Sequence, residues 1–211
     1  MDTIERIIEK EWSMFHSVNE GQQKASCQES PQTFAAMRRC QFLAWSEAAC
    51  QSYERDLDAA AAAGRNLPEE KYIHMMASCT PERYELVKDR LPEISDEQRT
   101  LAKQLTDRLM EQTEVMRAQW PFLGVIGRPV HADADDEYNT SIETYNLGEF
   151  LTYSPETLRL LLEHVEAQAA KGISFAEDIE LRCLQAMGCR SFEHAQQVVL
   201  QQLSGGGCHL R

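Results

Sequence analysis

One carboxylate of the chain lies in the middle of an otherwise apolar helical stripe. Glu149 follows Ile142 and Tyr145 at helical spacing, and Tyr153 lies one turn beyond it on the same face. A carboxylate in such a position finds hydrogen-bond donors or keeps its proton, because an unpaired buried charge is too costly. A carboxyl group with a raised pKa can act as a general acid or base. The stripe therefore makes Glu149 and Tyr145 candidate catalytic residues.

A structural role for the same carboxylate is the alternative. In that case Glu149 pairs with Arg38 or Arg39 from the first half of the chain and only holds helices together. Both hypotheses place the Glu149 side chain in the interior, facing the first half. Both expect hydrogen bonds to it from Tyr145, from Arg38 or from the segment Ser26–Gln28.

The loop Gly127–Glu137 is rich in groups that bind metals or transfer protons. Its His131, Asp133 and Asp135 suit a divalent cation in residue type. Their spacing matches no established site, since the Asp-x-Asp pair lacks the glycine and the distal glutamate of a calcium loop. No Glu-x-x-His pair occurs on any predicted helix, which disfavours a di-iron carboxylate bundle. We assign no metal ligands, and a metal-dependent activity on the His131 loop stays an alternative.

A cysteine nucleophile is a further chemical possibility. Cys27 lies in a loop just before a predicted helix start, where a thiolate would be stabilised. It would need a histidine, and His131 lies in the corresponding loop of the other half. The alternative is that Cys27 is a small buried thiol without a chemical role.

The elements that position these residues come from a stretch of sequence that occurs twice. Phe42 and Gly64 recur as Phe150 and Gly172, each 108 positions later, with no gap between them. The same shift relates three further pairs, which are Trp12 and Trp120, Gln41 and Glu149, and Trp45 and Tyr153. Because this period is far longer than a solenoid unit, it indicates an internal duplication of a whole subdomain.

The composition and the spacing of apolar residues predict an all-α protein. Ala, Glu, Gln, Leu and Arg are abundant, whereas Val and Ile are sparse. We expect two similar helical subdomains of about five helices each, related by a pseudo-twofold axis. Residues 1–94 form the first repeat, residues 95–203 the second, and residues 204–211 a flexible tail. The pocket of such a doubled protein is expected between its halves.

Local signals predict where several helices begin and end. Ser30, Asn66 and Ser95 are the expected N-caps of three helices. Gly64 and Gly172 are expected to end corresponding helices in the left-handed conformation, which only glycine adopts without penalty.

The charge and the cysteines limit the classes of partner and compartment. A formal net charge of −13 and a pI near 4.9 oppose a nucleic-acid partner. No apolar stretch reaches the roughly 20 residues of a membrane span, and the N-terminus lacks the pattern of a signal peptide. The seven cysteines are an odd number without C-x-x-C spacing, so we expect reduced thiols in a cytoplasmic protein.

Five segments carry a family resemblance: Glu11–Phe15, Ala25–Gln28, Met37–Arg38, Gln41–Trp45 and Asn139–Tyr145. Through them the chain resembles, over nearly its whole length, a bacterial family catalogued only as domain of unknown function 4125. The resemblance implies a small bacterial cytosolic protein and brings no activity, cofactor or catalytic residue with it. Cys40 departs from the serine expected of relatives, and we attach no mechanism to that difference.

These features predict a protein that binds or transforms a small molecule in a pocket between the two repeats. Glu149, Tyr145, His131 and Cys27 are the candidate catalytic residues. The candidate ligand-binding residues are Arg38, Gln41, Trp45, Arg128, Glu143 and Tyr153. A helical scaffold that binds only a protein partner is the alternative, and it predicts an exposed apolar groove without an enclosed pocket. No cofactor follows from the sequence.

Overall fold

The structure of the chain is a computed structural model that describes residues 2–18 and 30–204. These residues form eleven α-helices: α1 (Thr3–His16), α2 (Pro31–Phe42), α3 (Glu47–Ala62), α4 (Leu67–Cys79), α5 (Pro81–Val87), α6 (Asp96–Gln119), α7 (Leu123–Ile126), α8 (Ile142–Phe150), α9 (Pro155–Ala169), α10 (Phe175–Ala186) and α11 (Phe192–Ser204). Single turns of 3-10 helix cover Lys88–Arg90 and Ala132–Ala134. No strand occurs in the described ranges, so the prediction of an all-α protein is confirmed. None of these helices has both the length and the apolarity needed to cross a bilayer.

The predicted N-caps begin their helices as expected. The side-chain oxygens of Ser30, Asn66 and Ser95 each accept a hydrogen bond from the backbone amide three residues further on. Such a bond satisfies one of the amides that a helix start leaves without an intrahelical partner. The starts of α2, α4 and α6 therefore depend on local sequence.

The two predicted glycine caps also have the expected backbone conformation. The φ angle is +69° at Gly64 and +74° at Gly172, after α3 and α9 respectively. The amide that follows each glycine, that of Arg65 or Ile173, donates to a carbonyl five residues earlier. This bond completes the usual glycine-terminated helix end and turns the chain towards the next helix.

The helices pack around one main hydrophobic core to which both halves of the chain contribute. Its most deeply buried members include Ile7, Phe42, Leu57, Leu105, Tyr153, Leu158, Leu161 and Val165. Within the halves, α1 packs against α3, and α6 packs against α9. Between the halves, α3 packs against α9, α4 against α8, and α10 against α2. The two halves therefore interlock through α4 and α10, and this arrangement surrounds the middle of α2 and α8.

Replacing Gly64 or Gly172 with alanine is expected to destabilise the protein by about 1 kcal/mol each, because a Cβ is strained at positive φ. No atom lies within 4 Å of a Cβ built at either position, so the loss reflects backbone conformation alone. Gly124 is the matched control, since its surroundings are equally open and its φ is not positive. The free energy of unfolding in urea measures the effects. Equal stability of Gly64→Ala and Gly124→Ala would contradict the cap assignment.

Candidate functional site

Glu149 lies at the centre of a buried hydrogen-bond cluster. Its side chain is on α8, and the residue is only 4% exposed. Tyr153 donates its hydroxyl to Oε1 at 2.6 Å, and Lys71 donates its ammonium group to Oε2 at 2.6 Å. Oε1 also accepts from Nη2 of Arg38 at 3.0 Å and from Nε2 of Gln41 at 3.2 Å. The expectation that Glu149 is buried and faces the first half is confirmed, since three of its four donors come from there.

A second buried carboxylate, that of Glu11 on α1, completes the cluster. Arg38 donates two hydrogen bonds to it, from Nε to Oε2 at 2.7 Å and from Nη2 to Oε1 at 2.5 Å. Tyr53 donates its hydroxyl to the same Oε1 at 2.6 Å. The guanidinium of Arg38 therefore bridges Glu11 and Glu149. With Lys71 the cluster holds two acids and two bases, so its formal charge is balanced.

A close approach of α4 to α8 brings Lys71 to Glu149. Gly148 is at the contact, where an added Cβ would lie 2.9 Å from Cγ of Met75 and 3.2 Å from the carbonyl oxygen of Lys71. The absence of a side chain at position 148 thus allows α4 to pack closely. The Lys71 ammonium then lies over the ring of Tyr145, 3.5 Å from its centroid.

The cluster keeps Glu149 ionised and its tyrosines protonated. Burial acts to raise the pKa of Glu149, but the charges of Arg38 and Lys71, with the bonds from Lys71 and Tyr153, hold that pKa well below its ordinary value. Burial and the neighbouring carboxylates raise the pKa of Tyr53 and that of Tyr153 well above the usual range. Glu149 is thus a fully bonded carboxylate that does not keep its proton, and the tyrosines act as hydrogen-bond donors.

A cavity of about 470 Å³ lies beside the cluster, between the two halves. Its polar floor contains Glu11, Arg38, Gln41, Lys71 and Glu149. Its other lining side chains are mostly apolar or aromatic and include Phe15, Phe34, Met37, Tyr72, Ile142, Tyr145, Ile179 and Cys183. A few fixed polar groups in a mainly apolar lining are typical of small-molecule sites.

The structure brings five of the predicted site residues to this cavity. Arg38, Gln41, Arg128, Tyr145 and Glu149 all line it. Of the donors expected for Glu149, Arg38 makes the hydrogen bond. Tyr145 instead presents the face of its ring to the ammonium group of Lys71.

Two further candidates lie behind the cavity and support its floor. The ring of Tyr153 is 5.8 Å from that of Trp45 and 4.6 Å from that of Tyr53, measured between centroids. Trp45 and Tyr153, the two predicted residues, are buried in the main core. The ring contact with Trp45 helps to orient the hydroxyl that Tyr153 donates to Glu149. Neither Trp45 nor Tyr153 lines the cavity.

His131 does not line the cavity, although Arg128 at the start of the same loop does, and no metal site is assembled from the loop's described residues. His131 is half exposed, with its ring nitrogens 3.5 Å from a Glu114 oxygen and 3.7 Å from a Glu143 oxygen. Glu143 also accepts the backbone amide of Ala132 at 2.9 Å. Asp135 accepts bonds from the N-terminal turn of α8, including the Ser141 amide at 2.6 Å. In residues 2–18 and 30–204 no three His, Cys, Asp or Glu side chains converge as metal ligands.

Cys27, the predicted nucleophile, and the segment Ser26–Gln28 lie outside the described residues. His131, its proposed partner, does not line the cavity. The catalytic assignments of Cys27 and His131 therefore stay predictions from sequence.

Three members of the cluster were missed by the sequence analysis, which are Glu11, Tyr53 and Lys71. The signal that singled out Glu149 was also present for them. Each has a side chain with a polar group on an otherwise apolar helical stripe, as Glu11 has between Ile7 and Phe15. A search for ionisable residues on every apolar stripe would have found Glu11 and Lys71.

The family resemblance is supported by comparison with known proteins. Residues 1–197 match the family described as "Protein of unknown function (DUF4125)". The chain belongs to this family. Neither a curated protein nor a solved structure matches the chain significantly. The site must therefore be interpreted from its own geometry.

Glu149→Gln is expected to lower the free energy of unfolding by roughly 3–5 kcal/mol, because Lys71 loses its counter-charge in a buried place. The double variant Glu149→Gln/Lys71→Met should lose less than the two single losses added together, since it removes both charges. Glu156→Gln is the matched control. It breaks the exposed pair with Arg55 and should change stability by no more than about 1 kcal/mol. Urea unfolding of Glu149→Gln, Lys71→Met, their double variant and Glu156→Gln measures these values. Similar small effects at positions 149 and 156 would contradict the structural role.

The contribution of Glu149 to stability is expected to depend on pH. Because its pKa is lower in the folded chain than the ordinary value of 4.5, its stabilising effect is complete above about pH 4.5 and is lost as the pH falls further. The difference in unfolding free energy between the unmodified chain and Glu149→Gln should therefore stay nearly constant from about pH 7 to about pH 5 and shrink from there to about pH 3. Urea unfolding across this range tests the expectation. A difference that grows on acidification would show that the sign is wrong.

Proposed function

We propose that the protein binds a small organic molecule in the cavity between its two duplicated halves. The observation that carries this proposal is that matched positions of the two halves line one cavity. Five pairs of lining residues are separated by the repeat distance of 108: Phe34 and Ile142, Met37 and Tyr145, Gln41 and Glu149, Lys71 and Ile179, and Tyr72 and Glu180. A cavity on a pseudo-twofold axis has such a lining.

The packing of the helices supports the duplication of residues 1–94 as residues 95–203. The contact of α4 with α8 has its counterpart in the contact of α10 with α2, and that of α1 with α3 in that of α6 with α9. Two residues of the first half also contact the residues at the matched positions of the second half. Gln41 donates to Glu149 at 3.2 Å, and the ring centroids of Trp45 and Tyr153 are 5.8 Å apart. Only residues close to a twofold axis contact their own equivalents, so the axis of the proposal passes between α2 and α8.

The cavity has a symmetric frame and an asymmetric chemistry. Gln41 stands where the second half has Glu149, and Lys71 stands where it has Ile179. Two carboxylates in contact on the axis would share a proton, whereas the amide of Gln41 donates a hydrogen bond to Glu149. The charged groups therefore define one orientation for a ligand, which a symmetric cavity would not do.

The size and the walls of the cavity favour a small molecule over the alternatives. Its volume of about 470 Å³ lies within the range of roughly 300–1,000 Å³ that is usual for ligand pockets. A pure protein-binding scaffold has no need of buried charged groups on the floor of a cavity. The metal-dependent alternative has no support from geometry, because the described part of the chain contains no suitable cluster of ligands. Among the described residues no histidine lines the cavity, so the proposal uses carboxylate, tyrosine, arginine and lysine groups.

The cellular setting that we propose is the cytoplasm of a bacterium. All five cysteines in the described residues, at positions 40, 50, 79, 183 and 189, are free thiols. Free thiols are usual in a reducing compartment. The acidic net charge of −13 supports a partner other than nucleic acid.

Release of a bound molecule tests the proposal. The protein is purified under native conditions and denatured, and the small molecules released are identified by mass spectrometry. Met37 lines the cavity and is partly exposed, so Met37→Trp is expected to fill the entrance and abolish recovery of the molecule. Leu43→Trp is the matched control, because Leu43 follows the same helix with similar exposure but does not line the cavity. Equal recovery from both variants, or none from the unmodified protein, would overturn the proposal.

A further inference from the structure

The basic groups that line the cavity differ in whether an acid neutralises them. Arg38 and Lys71 on the floor are both paired with buried carboxylates. Arg128, which also lines the cavity, is different. Its Nη1 donates to the carbonyl oxygen of Thr140 at 3.2 Å, and no carboxylate of the described residues lies within 4 Å of it. No acidic side chain of the described residues therefore pairs with Arg128, although the chain carries an excess of 13 acidic residues.

Arg128 is exposed, and its guanidinium contacts an aromatic ring beside the cavity. Its Cζ lies 4.9 Å from the centroid of the Tyr145 ring, whose face also receives the Lys71 ammonium. A guanidinium stacked on an aromatic ring keeps its fork of donors in a defined plane. Nη2 and Nε of Arg128 have no hydrogen-bond partner among the described residues, so these donors are free to bind a ligand.

A second arginine, Arg117, contacts the loop that carries Arg128. It likewise has no acidic partner within 4 Å among the described residues. Nε and Nη1 of Arg117 are buried without a hydrogen-bond partner in the described part of the chain, and Nη2 reaches only the carbonyl oxygen of Arg128, at 3.4 Å. Gly127 makes room for this side chain, since a Cβ there would lie 2.6 Å from Nη2. Arg117 as a whole is only partly buried, but buried guanidinium nitrogens without partners are costly, and an anion close to them reduces that cost.

The acid on this side of the cavity does not cancel these charges. Glu180 lines the cavity but makes no ion pair with Arg117 or Arg128 within 4 Å. Burial raises the pKa of Glu180, and the charge of Arg117 only partly opposes that effect. Two arginines and one glutamate on this side leave a positive formal charge, whereas the floor is neutral. Arg128 and Glu180 line the cavity, and Arg117 lies behind them.

We propose that the ligand is a small organic anion whose carboxylate or phosphate group binds Arg128, while its apolar part lies against Phe34 and Ile142. This inference rests on the proposed function of the cavity. The floor does not attract the anionic group, because Glu11 and Glu149 already neutralise Arg38 and Lys71. The free donors of Arg128 suit two oxygens of a carboxylate or a phosphate. Arg117 lies behind and strengthens the attraction at a distance.

Four probes with one ring system and different charges test the inference. They are 1-naphthoate, 1-naphthyl phosphate, the neutral 1-naphthamide and the cationic 1-naphthylmethylamine, with affinities measured by calorimetry on the full chain. At least one of the two anions is expected to bind about tenfold or more tightly than the amide, which corresponds to one charge-assisted interaction. The tighter of the two identifies the ligand as a carboxylate or a phosphate ester.

Arg128→Gln is expected to remove the preference for the anion and to leave the affinity for the amide unchanged. Arg190→Gln is the matched control, since it removes the same charge from an exposed residue that does not line the cavity. It should bind all four probes like the unmodified chain. Thermal unfolding of both variants checks that they fold.

The outcomes separate this inference from the proposed function. If the amide and the anions bind equally, or if Arg128→Gln keeps the preference, the anion proposal is wrong while the cavity remains a binding site. If the anions bind but Met37→Trp does not weaken them, they bind elsewhere and the proposal is also wrong. If none of the probes binds to the unmodified chain, the proposed function of the cavity fails as well.

Discussion

Four buried charges of alternating sign, on Glu11, Arg38, Glu149 and Lys71, join α1, α2, α8 and α4. Each has an opposite charge within 3.0 Å, and the hydroxyls of Tyr53 and Tyr153 occupy further acceptor sites on the carboxylates. Taking such groups out of water is expensive, and the arrangement is stable only while every member is present. The register of the four helices therefore depends on the cluster, because a shift of one helix would leave a charge without a partner.

The same cluster explains why an open cavity can exist beside it. Arg38 and Lys71 are long side chains that could otherwise extend into the space, but their carboxylate partners hold them at the floor. The ring of Tyr145 contacts the cations of both Lys71 and Arg128. The polar groups are thus positioned before any ligand enters, which reduces the entropy lost on binding. One set of interactions serves both the stability of the fold and the shape of the proposed site.

In the proposed duplication, the interlocked helices account for the shared core. Because α4 of the first half packs on α8 of the second, and α10 packs on α2, neither half encloses its own apolar face. The matched positions then meet in the middle of the molecule, where Gln41 contacts Glu149. A symmetric frame with unlike residues at its centre allows one directed binding site to form from two similar halves. The charged residues of the floor and Arg128 line the same cavity.

Features that depend only on neighbouring residues were predictable from the sequence. The caps at Ser30, Asn66 and Ser95 and the turns at Gly64 and Gly172 each involve groups three to five positions apart, so propensity and spacing predicted them. The burial of Glu149 was also predictable, because its stripe is apolar. Its partners were not, since the bonds from Lys71 and Arg38 span 78 and 111 residues and depend on how α4 and α2 pack on α8. Tertiary packing likewise decided that Arg128 lines the cavity and that His131 does not, because loop direction is not encoded in residue type.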